Sequence, residues 1–171
     1  MTFRLFAAVT FVLLSPFAAN AQDVKALGTF GNWVAATYQE NGKQVCYMSG
    51  EPDRTEGSAR ARGKPALRIT HRPGEKAYDV VSMASGYEYQ GDSDATVSVA
   101  GKRFKLFTSG DRAWARDAQT DKTIVQAMVK ANSAAVTGMS NRSAVTTDIF
   151  LLKGFAAAYQ AIGDACKKPA G

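Results

Sequence analysis

Apolar and polar residues alternate along several short stretches of this chain, and the alternation predicts β-strands. In residues 66–72, Leu67, Ile69 and His71 fall on one face, and basic or polar residues fall on the other. The other stretches with strand character are residues 30–38, 44–49, 78–83, 95–100, 102–108, 134–139 and 149–152. Asn41-Gly42 separates the first two stretches and predicts a hairpin, because both residues tolerate positive φ.

Two stretches change to a helical period. Residues 121–131 carry an apolar stripe at helical spacing, with Thr120 or Asp121 as the capping residue. Residues 155–165 predict a C-terminal helix whose core-facing side holds Phe155, Tyr159, Ile162 and, just beyond it, Cys166. A parallel α/β fold would need a helix after most strands. We therefore predict a mainly β fold, an antiparallel β-sandwich-like single domain with one internal amphipathic helix and a C-terminal helix.

Residues 51–65 lack any apolar side chain larger than alanine and are rich in charge, glycine and proline. This composition predicts a long surface loop. Trp33 and Trp114 both lie in strand-like runs, and we expect both rings to fill the core. An exposed ring that stacks on a ligand is the alternative for Trp33.

The N-terminus has the pattern of a cleaved signal peptide. Arg4 precedes an apolar run, and Ala19-Asn20-Ala21 has the small residues of a cleavage site. We assign residues 1–21 to the signal peptide and residues 22–171 to a single domain. No second long apolar segment follows, so we expect no transmembrane segment in the mature form.

Cys46 and Cys166 are the only cysteines in the chain. Export to an oxidising compartment favours a disulfide between them, which would fasten the C-terminal helix to the first hairpin. Two unpaired buried cysteines are the alternative.

The chain carries a formal net charge of +6, and its basic residues concentrate after residue 53. An anion-binding surface is predicted from Arg54, Arg60, Arg62, Lys64, Arg68 and Arg72. A solvated basic loop explains the same composition. Aromatic residues are absent from this loop and no recognised motif is present, so we do not expect nucleic acid as a partner.

Few residues offer catalytic chemistry. His71 is the only histidine, and it falls on the apolar side of its strand, where a packed residue is more common than a base. With the cysteines predicted to pair, we expect no metal site and no cofactor. A hydrolase would have to combine Ser140 or Ser143 with His71 and with Asp148 or Asp79. Neither serine lies in a G-x-S-x-G motif, and we predict that the protein is not an enzyme.

Several segments resemble the invasion-associated locus B family of exported bacterial proteins. They include Phe30-Gly31-Asn32-Trp33-Val34, Cys46-Tyr47-Met48 and Ala113-Trp114. The most specific segment runs from Ser140-x-Arg142 through Thr147-Asp148 to Leu152-x-Gly154-Phe155. Many members have a Trp-x-Val-x-Cys motif, and this chain has no cysteine at the corresponding position near Trp33. The resemblance implies an envelope or secreted protein of an alphaproteobacterium, in a family named for host-cell invasion. It supplies no catalytic residues.

The functional expectation is a non-enzymatic binding protein of the periplasm, the outer-membrane surface or the secreted fraction. Its partner would be an unknown component of the envelope or of a host surface, with an anionic molecule favoured by the basic residues. An envelope hydrolase and a self-associating structural protein are the alternatives.

Overall fold

Eleven antiparallel strands form one continuous sheet in the computed structural model of this chain, which describes residues 23–57 and 62–169. The predicted signal peptide and Arg60 lie outside the described residues. The strands are β1 Lys25–Phe30, β2 Trp33–Glu40, β3 Lys43–Gly50, β4 Arg54–Gly57, β5 Ala66–Arg72, β6 Ala77–Ala84, β7 Ala95–Val99, β8 Lys102–Ser109, β9 Arg112–Ala115, β10 Ser133–Met139 and β11 Val145–Leu151. The helices are α1 Ala118–Val129 and α2 Phe155–Ala165, and Pro73–Glu75 forms a short 3-10 turn.

The order of strands in the sheet is β1-β2-β3-β5-β6-β9-β8-β7-β10-β11-β4. The predicted hairpin joins β2 to β3, with Glu40 opposite Lys43 and positive φ at both Asn41 and Gly42. A two-residue Asn-Gly turn matches the twist of the flanking strands. The predicted mainly β domain with one internal and one C-terminal helix is confirmed, and hydrogen bonding joins all its strands into a single sheet.

Contacts between distant strands show that the sheet curls back on itself. The indole Nε1 of Trp33, in β2, donates to the carbonyl oxygen of Leu151, in β11, at 3.1 Å. The N–H of Asn32 donates to the carbonyl oxygen of Lys153 at 3.1 Å. Strands near the two ends of the sheet therefore meet, and their inward side chains share one core.

Two glycines allow this closure. A Cβ atom at Gly154 would lie 1.9 Å from the carbonyl oxygen of Phe30, and one at Gly31 would lie 2.5 Å from that of Lys153. Both glycines also have positive φ. No other residue could occupy these positions without moving the backbone.

Helix α1 begins three residues earlier than the sequence predicted. Asp117 is its N-cap, and the carboxylate accepts a hydrogen bond from the N–H of Thr120 at 2.8 Å. The predicted caps, Thr120 and Asp121, are therefore wrong, because a better acceptor stands just before them. Asp121 turns inward and accepts from the N–H of Val81 at 2.8 Å, and burial raises its pKa to about 6.

Helix α2 has the predicted bounds and packs its apolar face on β2. The ring of Phe155 meets Trp33 edge to face, with 4.8 Å between the ring centroids. Ala158 and Ile162 continue the buried side of the helix. Trp33 is 0 % exposed, so the prediction that it fills the core is confirmed.

The predicted disulfide between Cys46 and Cys166 is present, with a Cα–Cα distance of 6.0 Å. It joins the middle of β3 to the C-cap residue that directly follows α2. Both cysteines are buried. The bridge therefore holds α2 against the sheet at the end opposite Phe155.

Two local predictions were wrong. The stretch predicted as a long surface loop contains β4, which pairs with β11 although all four of its residues are exposed. Main-chain pairing at a sheet edge needs no apolar side chain, so the sequence carried no signal for it. Trp114 was expected in the core, but its side chain points outward and is only partly buried.

Removing the disulfide should destabilise the fold without changing its architecture. We expect the C46A/C166A variant to lose about 3 to 5 kcal/mol in free energy of unfolding, because its unfolded chain is no longer closed across 120 residues. Urea denaturation followed by tryptophan fluorescence measures the loss. Reduction of the wild-type protein is the matched control, and equal stability before and after reduction would contradict the prediction.

Candidate functional site: the outer face of the sheet

One face of six adjacent strands remains uncovered among the described residues. Strand register aligns one outward residue from each strand in a row. From β2 across to β8, the row is Val34, Ser49, Arg68, Ser82, Trp114 and Phe107. Both helices pack on the other side, where Ile124, Met128, Phe155 and Ile162 belong to the core. We call this surface the outer face.

The outer face is strongly biased towards positive charge. Side chains alternate along each strand, so the register decides which residues point outward. The outward basic residues on the six strands are Lys43, Arg68, Arg72, Arg103, Lys105 and Arg112. Glu40 is the one outward carboxylate on these strands, and it forms an ion pair with Arg72. Hydrogen bonding to Glu40 raises the pKa of Arg72.

An aromatic pair occupies one end of the row. Phe107 and Trp114 stack with 5.5 Å between ring centroids and an interplanar angle of 26°. They are opposite each other in the pairing of β8 with β9, and Phe107 is 36 % exposed. Alternation places Trp114 between the buried residues Ala113 and Ala115, which explains why it faces away from the core.

A second aromatic group lies towards the other end. The guanidinium of Arg68 sits over the ring of Tyr47, 4.5 Å from its centroid. Tyr47 in turn meets Tyr38 edge to face at 5.9 Å. Small side chains separate the two aromatic groups, and among them Thr70 and Ser82 are almost buried by their larger neighbours.

The structure separates the six residues of the sequence-predicted anion-binding surface. Arg68 and Arg72 lie on the outer face. Arg54 lies on the edge strand β4, where it forms an exposed pair with Glu56. Lys64 is exposed near Gly86, and Arg62 points inside the protein. The anion-binding role stays a prediction, and Arg68 and Arg72 are the two of these residues that the register places together with other outward cations.

Arg62 forms a buried ion pair with Asp148, which points inward from β11. One nitrogen of Arg62 donates to Oδ2 of Asp148 at 2.8 Å, and the other contacts Oδ1. Thr55 donates to the same carboxylate at 2.7 Å, and Arg62 also donates to the carbonyl oxygen of Ser85. The hydrogen bond with Asp148 raises the pKa of Arg62. This network ties β4 and the segment before β5 to the main sheet.

A groove of about 780 Å³ lies between α1 and α2. In its wall, the carboxylate of Asp79 accepts hydrogen bonds from the hydroxyl of Tyr159 and from the ammonium of Lys168, both at 2.6 Å. Asp79 is buried and has a positive φ of 63°. Lys168 also lies 4.8 Å from the centre of the Tyr159 ring. The negative charge of Asp79 is therefore already matched within the chain.

His71 lies behind this cluster and is 0 % exposed. Its Nδ1 accepts a hydrogen bond from the N–H of Asp79 at 3.1 Å, and its Nε2 has no partner among the described residues. Burial lowers the pKa of His71 to about 4, and the charge of Lys168 acts in the same direction. The negative charge of Asp79 raises the pKa of His71, but this effect is smaller than the lowering caused by burial. The imidazole is therefore neutral and closed to solvent at pH 7.

The residues of the hydrolase alternative lie apart. Ser140 accepts hydrogen bonds from the N–H groups of Arg142 and Ala144, within the turn between β10 and β11. Ser143 is exposed in the same turn. No hydrogen bond joins either serine to His71 in residues 23–57 or 62–169. In the same ranges, no group of His, Cys, Asp and Glu could hold a metal ion, and no helix is long and apolar enough to cross a membrane.

Comparison with known proteins connects this fold to one family. The sequence profile of the invasion associated locus B (IalB) protein matches residues 33–163. This chain belongs to the IalB family. The resemblance predicted from the sequence is thereby confirmed, and the matched region contains most of the outer face and both helices up to Gly163.

A solved structure shares the fold of this IalB protein. It is the crystal structure of invasion associated protein B from Bartonella henselae, with 15% sequence identity and a TM-score of 0.57. The alignment covers 82% of this chain and 97% of that chain. At this identity the likeness establishes the fold. No curated protein matches this chain.

The buried pair of Arg62 and Asp148 should contribute far more stability than an exposed pair of the same type. We expect Asp148→Asn or Arg62→Gln to lower the free energy of unfolding by about 3 to 5 kcal/mol, because each leaves a buried charge or donor unmatched. The matched control is the exposed pair Arg54–Glu56, where Arg54→Gln should change stability by less than about 1 kcal/mol. Urea unfolding measures all three variants, and similar losses for the buried and the exposed pair would contradict the assignment.

The titration of His71 can be observed directly because the chain contains one histidine. We expect NMR of the imidazole to give a pKa of about 4 rather than 6.5. A folded-state pKa below the unfolded-state value means that this group costs stability as pH falls from about 6.5 to about 4. Asp121, with its raised pKa, changes stability in the opposite direction over part of this range. The NMR titration is therefore the decisive measurement, and a midpoint near 6.5 would show an accessible imidazole.

Proposed function

We propose that this IalB protein is an exported, non-enzymatic binding protein that contacts an anionic partner through its outer face. The observation that carries the proposal is the charge of that face. Six outward basic side chains accompany a single outward carboxylate, on a face of the sheet that neither helix covers. A large field of one sign attracts an oppositely charged partner and raises the rate of encounter.

Aromatic and arginine side chains supply the contact energy that a charge bias alone lacks. Residues that dominate the energy of interfaces are enriched in tryptophan, tyrosine and arginine. The outer face has Trp114, Tyr47 and Arg68 among smaller residues. This composition supports a binding surface rather than a uniformly solvated one.

A binding role is also favoured over catalysis by the state of the titratable groups. A general base must reach its substrate and have a pKa near the working pH. His71 is enclosed and has a pKa lowered to about 4, and Asp79 is matched by Lys168. Neither group offers an accessible base in this conformation.

The location that we propose is the periplasm or the cell surface. Support comes from the signal-peptide pattern of residues 1–21 and from the disulfide, which is typical of oxidising compartments. The structural relative from Bartonella henselae is described as invasion associated. The proposed anionic partner is therefore a component of the bacterial envelope or of a host surface.

Site-specific photo-cross-linking in the native envelope tests the proposal. A photoreactive residue replaces Val34, which is 48% exposed at one end of the row, and in a second variant it replaces Val129, which is 38% exposed on α1. We expect a partner to be captured at position 34 and not at 129. Capture at position 34 should fall when Arg68 and Arg112 are changed to glutamine, because the partner is anionic.

The outcomes separate three possibilities. Equal capture at both positions, or capture that survives removal of the two arginines, would contradict a binding role for the outer face. Recovery of only the protein itself would support the self-associating alternative. An enzymatic activity that depends on His71 would overturn the non-enzymatic assignment.

A further inference from the structure

We propose that the outer face is a binding site for an acidic polysaccharide, one that carries sulfate or carboxylate groups on its sugar rings. This inference rests on the proposed function, because it names the chemical class of the anionic partner for the same face. Four features of the face carry it, and each matches a different part of such a ligand.

The stacked rings of Phe107 and Trp114 form a partly exposed apolar platform. The face of an aromatic ring is electron-rich and its edge is electron-poor. A sugar ring presents C–H groups of slight positive charge on its flat faces, so it can lie against such a platform. Trp114 points outward at this position instead of filling the core, and it is partly exposed, so part of its apolar surface can contact a ligand.

Arg68 supplies the anion-binding group. It stands in the same row as Trp114, with one strand between them, so the two Cα atoms are roughly 10 Å apart. Its guanidinium rests over the ring of Tyr47, and the residue is partly exposed. A planar guanidinium matches the geometry of sulfate and carboxylate better than an ammonium does. Arg68 forms no salt bridge with a carboxylate in the described part of the chain.

The surface between Trp114 and Arg68 is low and polar. Ser82 lies between them in the row, and Ser49 and Thr70 flank Arg68 and Tyr47. Within the described residues, the hydroxyls of these three side chains make no hydrogen bond with another side chain. Ser49 is partly exposed, so its hydroxyl can bind sugar hydroxyls, which are donors and acceptors themselves. The almost buried Thr70 and Ser82 keep the surface between the aromatic groups low.

Further cations continue the surface beyond the platform. Arg103 and Lys105 point outward from β8, and Arg112 points outward from β9. Lys105 is 3.5 Å from Asp94, and Arg112 is 3.9 Å from Asp111, at exposed positions where such pairs are weak. Alternating charged and stacking sites across six strands fit an extended polymer with acidic groups at intervals, rather than a small molecule in a pocket.

Binding of defined polymers to the mature protein tests this inference. The probes are a size-fractionated dextran sulfate, a polyphosphate of similar charge and a single-stranded oligothymidine, measured by calorimetry at the same salt concentration. We expect dextran sulfate to bind about tenfold more tightly than polyphosphate, because stacking adds to the charge term. Added salt should weaken its binding without abolishing it.

Variants separate stacking from charge. Trp114→Ala should weaken dextran sulfate binding about tenfold while leaving polyphosphate binding unchanged, and Trp114→Phe should restore most of the loss. Arg68→Gln should weaken both probes. Arg54→Gln removes an equal charge from β4 and is the matched control, which should bind as the wild type does. Circular dichroism and thermal unfolding establish that each variant is folded.

Equal binding of polyphosphate and dextran sulfate, with no effect of Trp114→Ala, would overturn the inference and indicate a purely electrostatic surface. Tighter binding of oligothymidine than of dextran sulfate would overturn it in favour of a nucleic-acid partner. Failure of the polysaccharide class is distinguishable from failure of the proposed function. In the first case a partner is still cross-linked at position 34, and in the second nothing specific is captured there.

Discussion

The closure of the curled sheet around Trp33 is the constraint on which the rest of the structure depends. The indole binds the end of β11 through its N–H and packs its ring against Phe155, so one side chain joins an early strand, a late strand and the C-terminal helix. Gly31 and Gly154 let the two backbones approach. Because these contacts bring the two ends of the sheet together, its inner face encloses one core and its outer face is left to solvent.

Closure also explains which sequence segments carry the family resemblance. The segment around Gly31 and Trp33 and the segment that ends at Gly154 and Phe155 are far apart in the chain, yet they touch each other in the fold. The pair of Arg62 and Asp148 also joins distant parts of the chain, because it holds the short edge strand β4 and the segment after it against β11. The family motifs therefore correspond largely to places where distant parts of the chain must fit together.

Local patterns predicted those elements whose signals are themselves local. The bounds of α2, the Asn41-Gly42 hairpin and the inward direction of Trp33 all followed from periodicity or turn chemistry. The edge strand β4 could not be predicted, since its pairing with β11 uses only main-chain groups. Trp114 was misplaced because a single tryptophan between alanines gives no indication of which side of a strand is covered. The outer face depends on β9 lying between β6 and β8, and no short-range pattern contains that order.

The closing contact between Trp33 and Leu151, which lie 118 residues apart, has a consequence for the timing of folding. The core cannot be completed until nearly the whole chain is available, since α2 and Cys166 supply its last pieces. Folds dominated by such non-local contacts assemble slowly, because long loops must close before their contacts form. A chain built in this way stays open during synthesis, which is compatible with the export proposed above.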